Sequence, residues 1–184
     1  MKPKVNHAGS LVAAKPFDLC QTPPYALSPL LPYLHRDWWI IWECAAGEGN
    51  LSNALSDYGY HVIATDIIAG QNFFDECQPG LPWDVIVTNP PYSIKYDWLE
   101  RCYSFGVPFA LLMPVEMMGA AKAQRLLSRY GFELILLDKR VNFKMPNLGY
   151  NGHGAQFPVA WYSWGLGIGQ QVTFARIDRA GGER

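Results

Sequence analysis

The chain of 184 residues is 49% apolar and 17% charged, a composition that is typical of one globular domain and excludes a disordered chain. Its 15 basic and 16 acidic side chains almost cancel, so any contact with nucleic acid must depend on a local patch. The four cysteines lie far apart with no C-x-x-C pair, and the histidine spacings do not match structural zinc sites. We therefore expect reduced thiols and no metal site. Polar residues interrupt the first apolar stretch too often for a signal peptide, so we also expect a cytoplasmic protein that does not enter membranes.

The first forty residues contain an irregular arm and a proline-rich helix candidate. Residues 1–20 mix proline, lysine and small side chains without periodicity, so we expect a mobile or docking arm, followed by a single domain over residues 21–184. In "TPPYALSPLLPYL", Thr22 is placed to cap a helix, and prolines suit a first helical turn. The sequence therefore predicts a short helix from Pro24 to Tyr33.

Seven apolar runs follow, and they predict the strands of a sheet. The first five are short, nearly continuous and separated by helical patterns, as expected of parallel strands that are buried on both faces. The last two are joined by "GLGIG", which is too short for a crossover helix, so they are predicted to pair as an antiparallel hairpin. The predicted fold is α/β, a doubly wound, mostly parallel seven-stranded sheet with a C-terminal antiparallel hairpin. The strand candidates are residues 38–43, 61–66, 84–88, 108–113, 132–137, 157–164 and 171–177.

Polar residues follow the first two predicted strands, at the edge where such sheets bind their ligands. In "ECAAGEGNL", residues 43–51, Gly47 and Gly49 permit a tight turn with close backbone approach to a ligand. The loop matches G-x-G-x-x-G poorly, because Ala45 and Asn50 replace two of its glycines, which disfavours a dinucleotide. Asp66 ends the second strand, where an acidic side chain can accept hydrogen bonds from ribose hydroxyls. These features alone fit an ordinary α/β turn equally well.

The most specific segment is Asn89-Pro90-Pro91-Tyr92, directly after the third strand candidate. The two prolines fix φ and stiffen the turn, so that Asn89 and Tyr92 are presented as fixed groups. Because proline has no backbone N–H, the turn offers carbonyl oxygens to a ligand that brings donors. A purely structural turn requires no such pairing of an amide with an aromatic ring.

The order of "TPPYAL", "ECAAGEGN", "ATDI", "QNFF" and "NPPY" resembles that of phage and prophage DNA adenine methyltransferases, which are class I enzymes that use S-adenosylmethionine. The resemblance runs from about residue 20 to residue 164. It implies a Rossmann-like methyltransferase domain in the cytoplasm of a bacterium or of a phage-infected cell. The gaps between the strand candidates are too short to hold a folded unit, so we expect no separate target-recognition domain. It also implies transfer of a methyl group to the exocyclic amino group of an adenine that is flipped out of DNA.

By this resemblance, the catalytic residues are Asn89, Pro90, Pro91 and Tyr92. The Asn89 side-chain oxygen and the Pro90 carbonyl would accept the two amino hydrogens of the base, and Tyr92 would stack on it. Phe143 would cover the other face of the base, although a loop phenylalanine that packs on the core is an equal alternative. Basic residues around Phe143 could contact DNA phosphates or form a solvated surface. They are Lys139, Arg140 and Lys144.

The resemblance also assigns the cofactor site. The glycine loop and the Thr22-Pro23 segment would hold the methionine part, Asp66 the ribose, and Ile67 the adenine ring. Asn72-Phe73 stands where the family often has Asp-Phe, so either Asn72 or Asp75 would accept from the cofactor's adenine amine. The predicted cofactor contacts are Thr22, Pro23, Glu43, Ala45, Gly47, Gly49, Asp66, Ile67, Asn72, Phe73 and Asn89.

Three other readings remain open. The same tetrapeptide occurs in enzymes that methylate adenine in RNA or glutamine in proteins, and a protein that binds S-adenosylmethionine without catalysis is a further alternative. The glycine-rich loop that carries His153 is a candidate lid on the substrate side, with His153 as either a site residue or a surface residue. The sequence does not indicate an oligomeric state or a target sequence.

Overall fold

One mixed seven-stranded sheet organises the protein in a computed structural model that describes residues 18, 20–35, 40–75, 82–145, 150–151 and 157–177. The strands are β1 (Ile40–Glu43), β2 (His61–Ala64), β3 (Val85–Thr88), β4 (Phe109–Pro114), β5 (Glu133–Leu137), β6 (Lys144–Met145), β7 (Tyr150–Asn151), β8 (Val159–Trp164) and β9 (Val172–Ala175). The order in the sheet is β2-β1-β3-β4-β8-β5-β9, and β6 pairs with β7 in a separate ribbon. Only β8 runs against its neighbours β4 and β5, so the predicted doubly wound, mostly parallel sheet is confirmed.

Among the described residues, three α-helices cover the sheet: α1 (Asn50–Asp57), α2 (Lys95–Phe105) and α3 (Ala121–Tyr130). The side chains of α1 join the hydrophobic cluster on one face, and those of α2 and α3 join the cluster on the other. Successive strand residues alternate between the two clusters, as Val85 and Val87 do with Ile86 between them. This alternation follows from the period of two in a strand, and it explains why β3 and β4 are buried at every position.

The pairing of the two C-terminal strands differs from the prediction. β8 and β9 run in opposite directions, as predicted, but β5 lies between them and is hydrogen bonded to both. The connection over residues 165–171 is too short for a helix. Fully extended it reaches about 23 Å, more than the roughly 10 Å needed to step over one strand. A short connection therefore does not require the two strands to be neighbours.

The helix predicted from Pro24 to Tyr33 is instead two short 3-10 helices, Pro24–Leu27 and Leu31–Tyr33. Pro29 and Pro32 lack the N–H that a continuous α-helix needs, which explains the interruption. Thr22 does not cap this segment, since Pro23 occupies the N-cap position without a side-chain hydrogen bond. Between β2 and β3 the described residues form only the 3-10 helix Ile67–Ala69 rather than an α-helix.

Some predictions fall outside the described residues. These are the positions 1–17 and 19 of the N-terminal arm, residues 38–39 of the first strand candidate, Cys77, and the loop around His153. Within the described part of the chain, no helix has the length and apolar character needed to cross a membrane. The same residues contain no group of three His, Cys, Asp or Glu side chains placed to hold a metal ion.

Candidate active site

A small pocket at the carboxyl edge of the sheet joins three segments that are distant in sequence. They are the end of β1 with its glycine loop, the turn after β3, and residues 20–22. The space between its lining atoms, part of which is open to solvent, is about 210 Å³. Its lining residues are Cys20, Gln21, Thr22, Glu43, Ala45, Ala46, Leu51 and Asn89. Four predicted site residues, Thr22, Glu43, Ala45 and Asn89, therefore share one cavity.

Strand pairing brings these residues together. β1 and β3 are parallel neighbours, with Ile41 paired to Val85 and Trp42 to Ile86. Glu43 is the last residue of β1 and Asn89 is the first residue after β3, so both lie at the same edge. The sheet thus places the glycine loop beside the Asn89–Tyr92 turn, which is the arrangement that ligand sites in open α/β sheets share.

Glu43 is a buried carboxyl group that is only partly satisfied. Its side chain is 1% exposed, and Oε1 accepts hydrogen bonds from the Ala45 N–H (3.2 Å) and the Thr88 hydroxyl (2.5 Å). Oε2 is buried and has no hydrogen-bond partner within the described part of the chain. Burial raises the pKa of Glu43 to about 7, with a smaller contribution from Asp66, while the bonds from Thr88 and Ala45 oppose the rise. A cation that reached Oε2 would favour the ionised form.

Asn89 presents a free acceptor next to this carboxyl group. Its Nδ2 donates to the Cys20 carbonyl oxygen at 3.4 Å, which turns Oδ1 the other way. Oδ1 is buried and meets no donor among the residues that the structure describes. A buried carbonyl oxygen without a donor costs about 1–3 kcal/mol, so a ligand that supplies an N–H would remove this cost.

The glycine loop is held by Asp66 and by Gln21. Gly47 has a φ of +53°, and its N–H donates to Asp66 Oδ2 at 2.8 Å, while the Ile68 N–H donates to Oδ1 at 2.8 Å. A Cβ at position 47 would lie 2.6 Å from Gln21 Nε2, so a side chain there would displace the Gln21 carboxamide, and the positive φ also favours glycine. Asp66 thus contacts the loop directly, although neither it nor half-buried Ile67 lines the pocket.

The predicted adenine contacts lie apart from the pocket. Phe73 is 4% exposed and stacks on Trp98, with ring centroids 3.9 Å apart and planes at 4°. Asn72 uses its amide locally, accepting from the Phe74 N–H and donating to Asp75 Oδ1, each at 3.1 Å. Contacts of Asn72, Phe73 or Asp75 with a cofactor stay predictions.

The structure brings Tyr92 and Phe143 together, but edge to face. Tyr92 is 7% exposed and Phe143 is 3% exposed, and their ring centroids lie 6.4 Å apart at 79°. A base held between two rings needs them parallel and about 7–8 Å apart. Stacking of Phe143 on a base therefore requires these rings to rotate and separate, and it stays a prediction.

The three basic residues around Phe143 are exposed beyond the carboxyl end of β5. Lys139 donates to the Ile177 carbonyl oxygen at 3.3 Å. Lys144 uses its backbone to pair with Gln21 and leaves its side chain exposed. Arg140 is likewise exposed. Phosphate contacts by Lys139, Arg140 and Lys144 stay predictions.

Sequence reasoning missed the pocket-lining residues Cys20, Gln21, Ala46 and Leu51, and it missed Thr88, which bonds Glu43. Thr88 is fully buried and donates to Glu43, and its position as a polar residue closing an apolar strand just before Asn89 was an available signal. Gln21 is 9% exposed, and its Oε1 accepts from the Glu48 N–H at 3.2 Å. Its segment has no periodicity, so its place over the glycine loop could be learned only from the fold.

Comparison with known proteins shows the fold. Neither a protein-family model nor a curated protein sequence matches this chain. Among solved structures, it is similar to a protein from Listeria monocytogenes that is provisionally assigned as a class I S-adenosylmethionine-dependent methyltransferase. The TM-score is 0.60 at 14% identity, and the match covers 92% of this chain and 69% of the other. It is also similar to the precorrin-6y C5,15-methyltransferase of Geobacter metallireducens, with a TM-score of 0.50, 14% identity, and coverage of 76% and 87%. The chain therefore has the fold of these proteins.

Proposed function

We propose that this protein transfers a methyl group from S-adenosylmethionine to the exocyclic amino group of adenine in DNA. One observation carries the proposal. Glu43 Oε2 and Asn89 Oδ1, two acceptors that are buried and have no partner within the described residues, belong to side chains that line one pocket between the glycine loop and the Asn89–Tyr92 turn. Glu43 would accept a hydrogen bond from the cationic cofactor, and Asn89 would accept one from the amino group of the substrate, so the two sites would be adjacent.

The pocket residues fit the methionine part of the cofactor. Its ammonium group can donate to Glu43 Oε2, which needs a donor and would then be ionised at neutral pH. Gly47 and Gly49 allow the backbone to approach closely, with φ values of +53° and +84°. Thr22 closes the same pocket from the N-terminal segment. The cofactor supplies an electrophilic methyl group on a sulfonium, and all other steps fall to the chain.

The Asn89–Tyr92 turn fits an aromatic amino group as the acceptor. The nitrogen lone pair of such an amine is delocalised into the ring, so the nitrogen is a poor nucleophile until its hydrogens are drawn out of the ring plane. Asn89 Oδ1 accepts one N–H, and the Pro90 carbonyl accepts the other. A cofactor bound beside the turn would supply the methyl group to this nitrogen, and the nitrogen would lose one proton to solvent afterwards. No charged base is needed at Asn89.

DNA is the proposed carrier of this adenine because of the resemblance in sequence from "TPPYAL" to "NPPY". Two rings, Tyr92 and Phe143, already meet beside the turn, and stacking on a flipped base contributes about 1–3 kcal/mol for each ring. This is the size of the unstacking cost that an enzyme must offset to extrude a base.

The proposal is tested by incubating the purified protein with S-adenosylmethionine that carries a labelled methyl group, in the presence of adenine-containing DNA. We expect label in adenine with the wild type. Asn89→Ala should lower transfer about 100- to 1,000-fold, the effect of losing one positioned hydrogen-bonding group that acts on the transition state. Its cofactor affinity, measured by calorimetry, should change by no more than about threefold, since Glu43 and the glycine loop are intact. Retained transfer by Asn89→Ala would contradict the proposal.

The other acceptors are separated in the same assay. RNA and glutamine-containing peptides are offered in parallel with DNA at equal concentration. Label in RNA alone or in peptide alone would reject DNA as the acceptor while keeping the chemistry of the turn. Cofactor binding without transfer to any acceptor would identify a non-catalytic binding protein.

A further inference from the structure

The turn that carries Asn89 has backbone hydrogen bonds only near its C-terminal end among the described residues, where the Ile94 N–H donates to the Pro91 carbonyl oxygen at 3.3 Å and the Lys95 N–H donates to the Tyr92 carbonyl oxygen. Pro90 and Pro91 have no N–H, and two of the five positions from 89 to 93 therefore cannot donate. Further hydrogen bonds to the turn come from residues 18 and 20 of the N-terminal segment. The Ser93 N–H donates to Asp18 Oδ1 at 3.0 Å, and Asn89 Nδ2 donates to the Cys20 carbonyl oxygen at 3.4 Å. Residues 18 and 20 thus hold the turn at both of its ends.

The next residue, Gln21, holds the cofactor side of the pocket. Its Oε1 accepts from the Glu48 N–H at 3.2 Å, and its carboxamide covers Gly47. Its backbone is anchored in turn, because Gln21 N–H donates to the Lys144 carbonyl at 2.8 Å and Lys144 N–H donates to the Gln21 carbonyl at 3.1 Å. Asp18, Cys20 and Gln21 therefore connect the Asn89–Tyr92 turn, here named the acceptor turn, with the glycine loop.

We propose that Asp18, Cys20 and Gln21, here named the clamp residues, position Asn89 for methyl transfer and set the distance between the acceptor turn and the glycine loop. This inference rests on the proposed function of the same pocket. A side-chain amide presents an oxygen on one side and an NH₂ on the other, and the Cys20 carbonyl can accept only from the NH₂. The clamp thereby keeps Asn89 Oδ1 directed at the acceptor nitrogen.

Spacing matters as much as orientation. In-line displacement needs the reacting atoms about 3–3.5 Å apart, and a misplacement of about 1 Å costs on the order of 100-fold in rate. Asp18 contacts the turn but does not line the pocket, so its loss should lower turnover without lowering cofactor affinity. This pattern distinguishes a positioning role from a binding role.

The test compares Asp18→Ala with Asp18→Asn in the full chain. Both variants remove the charge of half-exposed Asp18, but asparagine keeps an oxygen that can accept from the Ser93 N–H. At saturating S-adenosylmethionine and DNA, we expect kcat to fall about 10- to 100-fold in Asp18→Ala. We expect Asp18→Asn to stay within about threefold of wild type, and the cofactor Kd of both to stay within about twofold. A wild-type kcat in Asp18→Ala, or a loss that asparagine does not rescue, would overturn the inference.

A second readout does not depend on activity. Amide hydrogen exchange is followed in the cofactor-free protein at Ser93, with Val87 in buried β3 as an internal control. We expect exchange at Ser93 to be at least about threefold faster in Asp18→Ala and unchanged in Asp18→Asn, while Val87 is unaffected in both and reports that the variants are folded. Equal exchange at Ser93 in all three proteins would refute the clamp. If wild type transfers no methyl group to any acceptor, the proposed function fails, and the exchange data still decide whether the clamp exists.

Discussion

Replacing Glu43 by glutamine should change how the stability of the cofactor-free protein depends on pH. The folded protein keeps the Glu43 carboxyl protonated up to a pKa of about 7, because the group is buried, whereas its ordinary value is 4.5. Since the folded pKa lies above the unfolded one, the stabilisation is complete below pH 4.5 and is lost as the pH rises through 7. Glutamine cannot ionise, and its Oε1 can still accept from the Ala45 N–H and the Thr88 hydroxyl.

The size of the effect follows from that rise in pKa. About 1.4 kcal/mol for each pH unit, over the interval from 4.5 to about 7, amounts to about 3 kcal/mol. Relative to wild type, Glu43→Gln should therefore gain about 3 kcal/mol in free energy of unfolding between pH 4.5 and pH 8. Any constant cost of the buried amide shifts both ends equally and leaves the gain unchanged. Urea unfolding at pH 4.5, 5.5, 7 and 8, followed by tryptophan fluorescence, measures it.

The matched control is Glu100→Gln, which removes one carboxylate from an exposed position of α2. It corrects for the general effect of one lost negative charge. A difference between Glu43→Gln and wild type that stays constant within about 0.5 kcal/mol across this range would refute the buried, protonated carboxyl.

Three further outcomes follow from the same site. Affinity of wild type for S-adenosylmethionine should rise as the pH increases through about 7, because the ammonium group favours ionised Glu43, and Glu43→Gln should lose this dependence in calorimetric titrations. Gly47→Ala should bind cofactor at least about tenfold more weakly because its Cβ would meet Gln21, whereas Gly59→Ala, with a φ of +91° and open space around it, should lose about 1 kcal/mol of stability but keep wild-type affinity. Thr88→Val should destabilise the protein by about 1–3 kcal/mol in urea unfolding, because Glu43 Oε1 loses a buried donor.

The sequence predicted the strands well because burial leaves a local signal. β3 and β4 are buried on both faces, so each reads as an unbroken apolar run that ends close to where the strand ends. The order of β5, β8 and β9 leaves no such signal, because it depends on pairings between segments that are distant in sequence. The same holds for segment 24–33, where prolines that suit a helix start also interrupt the helix.

The candidate site was predicted in part for a related reason. Glu43 and Asn89 each stand at the end of an apolar run, so their meeting at one edge of a parallel sheet follows from the pattern. Gln21 and Asp18 have no such marker, because they act through long-range contacts with Glu48 and Ser93. The edge-to-face contact of Tyr92 with Phe143 is likewise a result of tertiary packing.

The most direct test of the central claim reads the product in DNA. Genomic DNA from cells that express wild type, Asn89→Ala or neither is digested to nucleosides, and N6-methyladenine is quantified by mass spectrometry in a host without its own adenine methylation. The account predicts N6-methyladenine with wild type and a background level with Asn89→Ala, although both proteins fold and bind S-adenosylmethionine. Equal amounts of N6-methyladenine in the two samples, or none with wild type, would contradict it.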